Sequence, residues 1–172
     1  MLHSTKRERI LVVDDALNTL EVLQRNLTSQ GYQVFTAQEV AEALRILETT
    51  SIDLVITDLK MPRVSGLDLI KHVRENYKNT EIMMITGYAT IEGAVQAVKT
   101  GAEEYLAKPF TDEELFSAVK RALDKLNLRR AGQEKIDNKL PNMCGLLGES
   151  KPMKKIFNEI SKAASIIATV LI

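Results

Sequence analysis

Short β-branched runs alternate five times with longer segments of helical period along this chain. The strand pattern falls at Arg9–Val13 (RILVV), 33–36 (QVFT), Leu54–Thr57 (LVIT), 81–85 (EIMMI) and 104–106 (EYL). Between these runs, Leu17–Ser29 sets Leu20, Leu23 and Leu27 on one helical face, and 39–48, 67–77 and Ile91–Thr100 repeat the stride more weakly. Gly31, Gly66 and Gly101 sit where helices must stop or start. Strict strand–helix alternation predicts a parallel sheet covered on both faces, because a parallel connection needs a crossover and the right-handed one is favoured. The nearly all-apolar first three strands suit central positions in such a sheet. The expected fold is a doubly wound, flavodoxin-like α/β domain of five parallel strands in the order 2-1-3-4-5.

The pattern continues past the fifth strand. Thr111 is a candidate N-cap with Glu114 three residues on, a capping box. Leu115, Val119, Ala122 and Leu126 then follow at helical spacing, and the stride carries on through Arg129, Gln133 and Ile136. This stripe is either the buried face of a terminal helix or the seam of a short coiled coil with a second copy. The segment 138–148 (NKLPNMCGLLG) reads as a linker. A new helix is expected over 150–164, with Met153, Ile156, Phe157 and Ile160 on one face, and TVLI at 169–172 resembles a strand just begun.

Composition adds limits. The chain has 172 residues, enough for one domain plus part of another, and its 45% hydrophobic and 27% charged residues are those of an ordinary globular protein. Its longest apolar tract, the ten residues 163–172, is too short for the roughly 20 residues that a bilayer requires, so no membrane span is expected. Lys6, Arg7, Glu8 and Arg9 near the start leave no apolar stretch for a secretory signal. The single cysteine, Cys144, allows no internal disulfide and fits a reducing cytoplasm. The zero net charge hides a split: residues 1–122 carry 14 basic and 18 acidic side chains, residues 123–172 nine and five. A surplus of this size in the second segment is that of a solvated surface and calls for no nucleic acid.

Ligands of open α/β sheets bind at the carboxyl ends of the strands, where the strand order reverses. There the sequence places Asp14 and Asp15 after strand one, Asp58 after strand three, Thr86 at the end of strand four and Lys108 after strand five. Taken singly, each is an ordinary turn former, cap or solvated charge. Together, three carboxylates at one sheet edge repel unless a cation lies among them, and an all-oxygen set that leaves room for water and phosphate favours Mg²⁺. Asp58 then has the character of a carboxylate nucleophile that forms an aspartyl phosphate. Lys108 and the metal would neutralise the phosphoryl oxygens, with the Thr86 hydroxyl donating to one of them. The Lys60 carbonyl can complete the metal shell, and the Lys108–Pro109 bond is a candidate for the cis form, which costs little before proline. Tyr105 can pack either inward or outward.

The segments VVDD at 12–15, TDLKMPRVSG at 57–66, MITGYAT at 84–90 and YLAKPF at 105–110 resemble the receiver domain of two-component response regulators. The resemblance implies Asp58 as phospho-acceptor, Asp14 and Asp15 as the acidic pair with Asp15 the direct metal ligand, and the Lys60 carbonyl as backbone ligand. It also implies Thr86 as the switch hydroxyl, Lys108 as the family's lysine, Tyr105 as the aromatic switch, and a sensor histidine kinase as partner. LLGESKPMKKIFNEISKAASIIATVLI at 146–172 resembles the opening of the AAA+ ATPase domain of NtrC-type, sigma-54-dependent activators. These residues contain no GxxxxGK loop, so no ATP turnover is expected from them. The expected organisation is therefore a receiver over 1–125, a helical linker over 126–145 and the start of an ATPase domain over 146–172. The resemblance further implies a dimer through helix 111–136 and the strand-five face, with sigma-54 RNA polymerase and DNA reached only through domains outside this chain. An esterase of small phosphates is a weaker rival, because the acid/base Asp such enzymes carry two residues past the nucleophile is Lys60 here. A purely structural dimerisation module is the other alternative.

Overall fold

In the computed structural model the described residues are 7–87 and 90–143. The elements run β1 (Arg9–Val13), α1 (Leu17–Ser29), β2 (Gln33–Ala37), α2 (Val40–Thr49), β3 (Leu54–Thr57), α3 (Gly66–Asn76), β4 (Glu81–Thr86), α4 (Ile91–Thr100), β5 (Glu104–Ala107) and α5 (Asp112–Met143). The five strands form one parallel sheet in the order β2-β1-β3-β4-β5, the expected topology. The described chain falls into two units that part between Leu128 and Arg129, and the sheet lies wholly in the first.

Period-two alternation builds two cores from the same strands. Ile10, Val12, Leu54, Ile56, Met83 and Ile85 face a layer made with Leu20, Leu23 and Leu27 of α1 and Leu115, Val119 and Ala122 of α5. Their neighbours Leu11, Val13, Val55, Ile82 and Met84 face the opposite layer, against Ala43 and Leu47 of α2, Leu69, Ile70 and Val73 of α3, and Ala97 of α4. Because both faces are covered, β3 and β4 are buried along their whole length. The strands therefore keep their polar chemistry at their ends.

Local chemistry sets the helix limits. Ser65 and Asp68 form a reciprocal capping box at the start of α3, and Thr90 accepts from the Gly93 amide at the start of α4. Thr111 and Glu114 do the same before α5, where the Thr111 amide donates to Glu114 at 2.7 Å and the Glu114 amide donates back at 3.2 Å. Gly31 and Gly101 end α1 and α4 with φ of 91° and 122°, a region where a side chain would be strained. The helix of 32 residues reaches Met143, so the first half of the expected linker, Pro141 included, is helical. Lys, Leu and Met in this stretch favour a helix and Asn is only modestly unfavourable, while Pro141 removes one i→i−4 bond and crowds the carbonyl four residues back. The side chains of Gln133 and Ile136, residues Tyr88 and Ala89, and the expected elements over 150–172 lie outside the described residues.

Gly66 turns the β3–α3 loop back against the sheet. Its amide donates to the Leu59 carbonyl at 3.0 Å, and a Cβ at this position would overlap the Asp58 carbonyl oxygen. Gly66→Ala should therefore lower stability by about 2 kcal/mol or more in urea melts, since backbone rather than a flexible side chain would have to move. Unchanged stability would mean that the loop tolerates a different path.

Candidate functional site

Register brings the strand ends level. Val13 pairs with Thr57 and Thr86 with Ala107, and the ladder continues one residue further. The Asp58 amide donates to the Val13 carbonyl at 3.0 Å, the Asp14 amide to Ala37 at 3.2 Å and the Lys108 amide to Thr86 at 2.9 Å. Asp14 and Asp58 thus emerge side by side from β1 and β3, the two strands between which the winding of the sheet reverses. Lys108 reaches across from the end of β5, and its bond to the following Pro109 is cis.

The Lys108 ammonium lies 2.6 Å from Asp14 Oδ2 and 3.8 Å from Asp58 Oδ1. The first is a short charge-assisted hydrogen bond, and the second is too long to be one. Asp14 Oδ1 is engaged from the other side by the Ala16 amide at 2.9 Å. The Leu59 amide and the Thr86 hydroxyl lie beside the Asp58 carboxylate and favour its charged form, yet among the described residues its buried Oδ1 has no hydrogen-bond partner. Burial raises the Asp58 pKa above the ordinary aspartate value, Lys108 opposes that rise, and the neighbouring Asp14 charge adds to it.

Four of the expected residues, Asp14, Asp58, Thr86 and Lys108, are therefore in one connected group. Asp15 and Lys60 stand at the rim, both solvent-exposed. Among the described residues no three His, Cys, Asp or Glu side chains form a ready-made metal cage. The donors nonetheless fit a hard divalent ion that keeps part of its water: they are oxygens, and Asp58 Oδ1 is a buried acceptor that lacks a donor. Tyr105 packs against the core layer of α2, α3 and α4, and its hydroxyl is buried with no hydrogen-bond partner among the described residues.

Several contributors had no signal in the sequence. The Ala16 and Leu59 amides act through the backbone, which any residue carries. Thr57 Oγ1 donates to the Asp58 carbonyl at 3.0 Å and braces the turn from beneath. Arg63 adopts a left-handed φ of 70° in the β3–α3 loop and pairs with Glu39 at 2.8 Å on the surface. Gly66 did announce itself, but only as a helix start.

Residues 10–120 match the family model for the response regulator receiver domain. The chain is 36% identical to the response regulator protein PilR of Pseudomonas aeruginosa over 166 residues, covering 96% of this chain and 36% of that protein. It is 33% identical to the transcriptional regulatory protein ZraR of Escherichia coli K12, covering 95% and 36%. The chain thus spans about a third of the length of the curated relatives it matches. Among solved structures it resembles the response regulator TrrA of Thermotoga maritima in complex with Mg²⁺ and BeF, at TM-score 0.62 and 37% identity, covering 67% of this chain and 99% of that one. It also resembles the beryllofluoride-activated NtrC4 receiver domain dimer, at TM-score 0.66 and 32% identity, covering 69% and 98%. With these matches following the fold, the paired aspartates and the lysine that bridges to them, the chain belongs to the response regulator receiver domain family.

Proposed function

We propose that this chain is the phosphorylation switch of an NtrC-type, sigma-54-dependent transcriptional regulator, accepting a phosphoryl group on Asp58 from a sensor histidine kinase in the cytoplasm. The observation that carries the reading is the buried, unpartnered Oδ1 of Asp58, set between Asp14 and Lys108 at the reversal of the sheet. An ionised oxygen held there without a donor is disposed to bond an electrophile. Attack on the phosphorus of a phosphohistidine forms the O–P bond and breaks the P–N bond, and the imidazole leaves with a proton from solvent. No general base is required, since Asp58 reacts as its carboxylate.

Lys108 and Thr86 lie where the charge of the incoming phosphoryl oxygens would fall. Lys108 would move from Asp14 toward the phosphate, and the Thr86 hydroxyl would donate to it, so the two states differ in contacts that only the phosphorylated one makes. Asp14, Asp15, Asp58 and the Lys60 carbonyl would hold Mg²⁺, whose chemistry is to neutralise phosphoryl charge. The neighbouring TrrA structure with Mg²⁺ and BeF supports this ligand class. The unpaired Tyr105 hydroxyl supports its role as the residue that moves with Thr86.

A dimer through helix 111–136 and the strand-five face completes the reading, with 1–125 as receiver, 126–145 as linker and 146–172 as the start of an ATPase domain. Support comes from the NtrC4 dimer and from α4, which exposes Ile91, Val95 and Val98 by 80%, 46% and 59% at helical spacing beside β5. No helix among the described residues is long and apolar enough to cross a membrane.

Three outcomes check this reading. Incubation with acetyl phosphate and Mg²⁺ should add one phosphoryl mass to the protein and none to Asp58→Ala; absence of the adduct, or its persistence in the variant, refutes the assignment. Because the Asp58 pKa is raised in the folded state, the ionised carboxylate costs stability at neutral pH, and this cost fades as pH falls through the folded-state value toward the ordinary 3.8. Asp58→Asn should accordingly be more stable than wild type in urea at pH 7 and lose that advantage at lower pH. Val95→Asp should lower the dimer fraction in beryllofluoride about tenfold by light scattering, through burial of an unpaired charge in the apolar stripe.

A further inference from the structure

The pole of the sheet opposite the carboxylates holds a second convergence of charge. Arg74, in the last turn of α3, reaches into the corner where β4 begins and α4 turns into β5. Its Nε donates to the Gly101 carbonyl at 2.5 Å and one terminal nitrogen to the Thr80 carbonyl at 3.4 Å. The other terminal nitrogen lies 2.8 Å from Glu81 and 3.5 Å from Glu103. Glu81 is only 1% exposed, so its charge needs compensation, which that guanidinium supplies at short range. Glu103 also accepts from Lys125 at 2.6 Å, which extends the network to α5. The corner is shaped around the arginine stem: a Cβ on Gly101 would stand 2.5 Å from Arg74 Cγ.

The elements joined here are those that carry the switch residues at the other pole. β4 begins at Glu81 and ends at Thr86; β5 begins next to Glu103 and leads through Tyr105 to Lys108. Between them, α4 is lightly held, for Ala97 alone among its residues is buried. Its C-terminal end is fastened by Arg74 at Gly101. Its N-terminal end is capped by its own Thr90.

We infer that Arg74 is the pivot of the switch, a positioning residue that pins the α4–β5 corner to α3 and β4, so that a change at Thr86 swings α4 about its Gly101 end. The inference rests on the phosphorylation reading above and adds to it the fixed point of the motion. A helix held at one end converts a small displacement at its first turn into a rotation of the whole Ile91–Val95–Val98 stripe. Without the clamp the helix would shift or loosen along its length.

Amide hydrogen exchange tests this, because the Gly101 and Ala102 amides both donate to the Ala97 carbonyl, at 3.0 and 2.9 Å, and so report the corner directly. In wild type, Mg²⁺ and beryllofluoride should change exchange in residues 91–95 about fivefold or more and leave Gly101 and Ala102 within about twofold. In Arg74→Met the Gly101 and Ala102 amides should exchange about tenfold faster before any activator is added, and activation should then alter both ends of α4. Since Arg74→Met takes its principal cation from the buried Glu81 and can destabilise the fold, the double variant Arg74→Met/Glu81→Met, which removes both charges, is measured alongside it. Wild-type Gly101 and Ala102 responding as strongly as residues 91–95, or remaining fully protected in the folded double variant, overturns the pivot alone. A wild-type protein with no exchange response anywhere overturns the phosphorylation reading and the pivot with it.

Discussion

Strands that are apolar on both faces can carry polar chemistry only where they end, and the architecture follows from that constraint. Helices must cover both sides of the sheet, each connection must cross over, and every strand must run the same way. The carboxyl ends of β1, β3, β4 and β5 therefore share one edge, and residues from four distant parts of the chain meet there. Lys108 and Asp14 are 94 residues apart in sequence and 2.6 Å apart in space.

At that edge the balance of charge is incomplete. One ammonium serves two carboxylates and lies close to only one of them, and Asp58 is left with a buried oxygen that nothing satisfies. In a structural ion pair this would be a defect, because burial of a charge costs more than a distant partner returns. On the proposed reading it is the reactive feature, because an oxygen without a donor is better satisfied by a phosphoryl group or a cation. The opposite pole follows the other logic. There Arg74 engages Gly101, Thr80, Glu81 and Glu103 at once, and the buried carboxylate is fully compensated. One end of the sheet thus leaves a carboxylate oxygen without a donor, while at the other an arginine joins four groups.

Much of this was legible before folding. β1, β3, α1 and α4 have the limits that their patterns predict, because each apolar stride stops abruptly at polar residues or glycine. That Asp14, Asp58, Thr86 and Lys108 would meet at one edge was legible because strand ends converge in a parallel sheet. The helical path through 138–143 agrees with a helical linker over 126–145, whereas the proline, glycines and asparagines of 138–148 read locally as a loop. Arg74 was not legible, since on the sequence it is one charged residue near a helix end like several others.

The sequence by itself determined the periodicities, and through them the order of elements, the parallel sheet and the edge at which chemistry collects. These are local properties, each readable within a window of a few residues. Tertiary structure alone decided which carboxylate Lys108 takes, which oxygen of Asp58 is left unpaired, that Tyr105 packs inward, and that Arg74 gathers the far pole. Those outcomes depend on distances and desolvation among groups separated by tens of residues, and such quantities come into existence only when the sheet has formed.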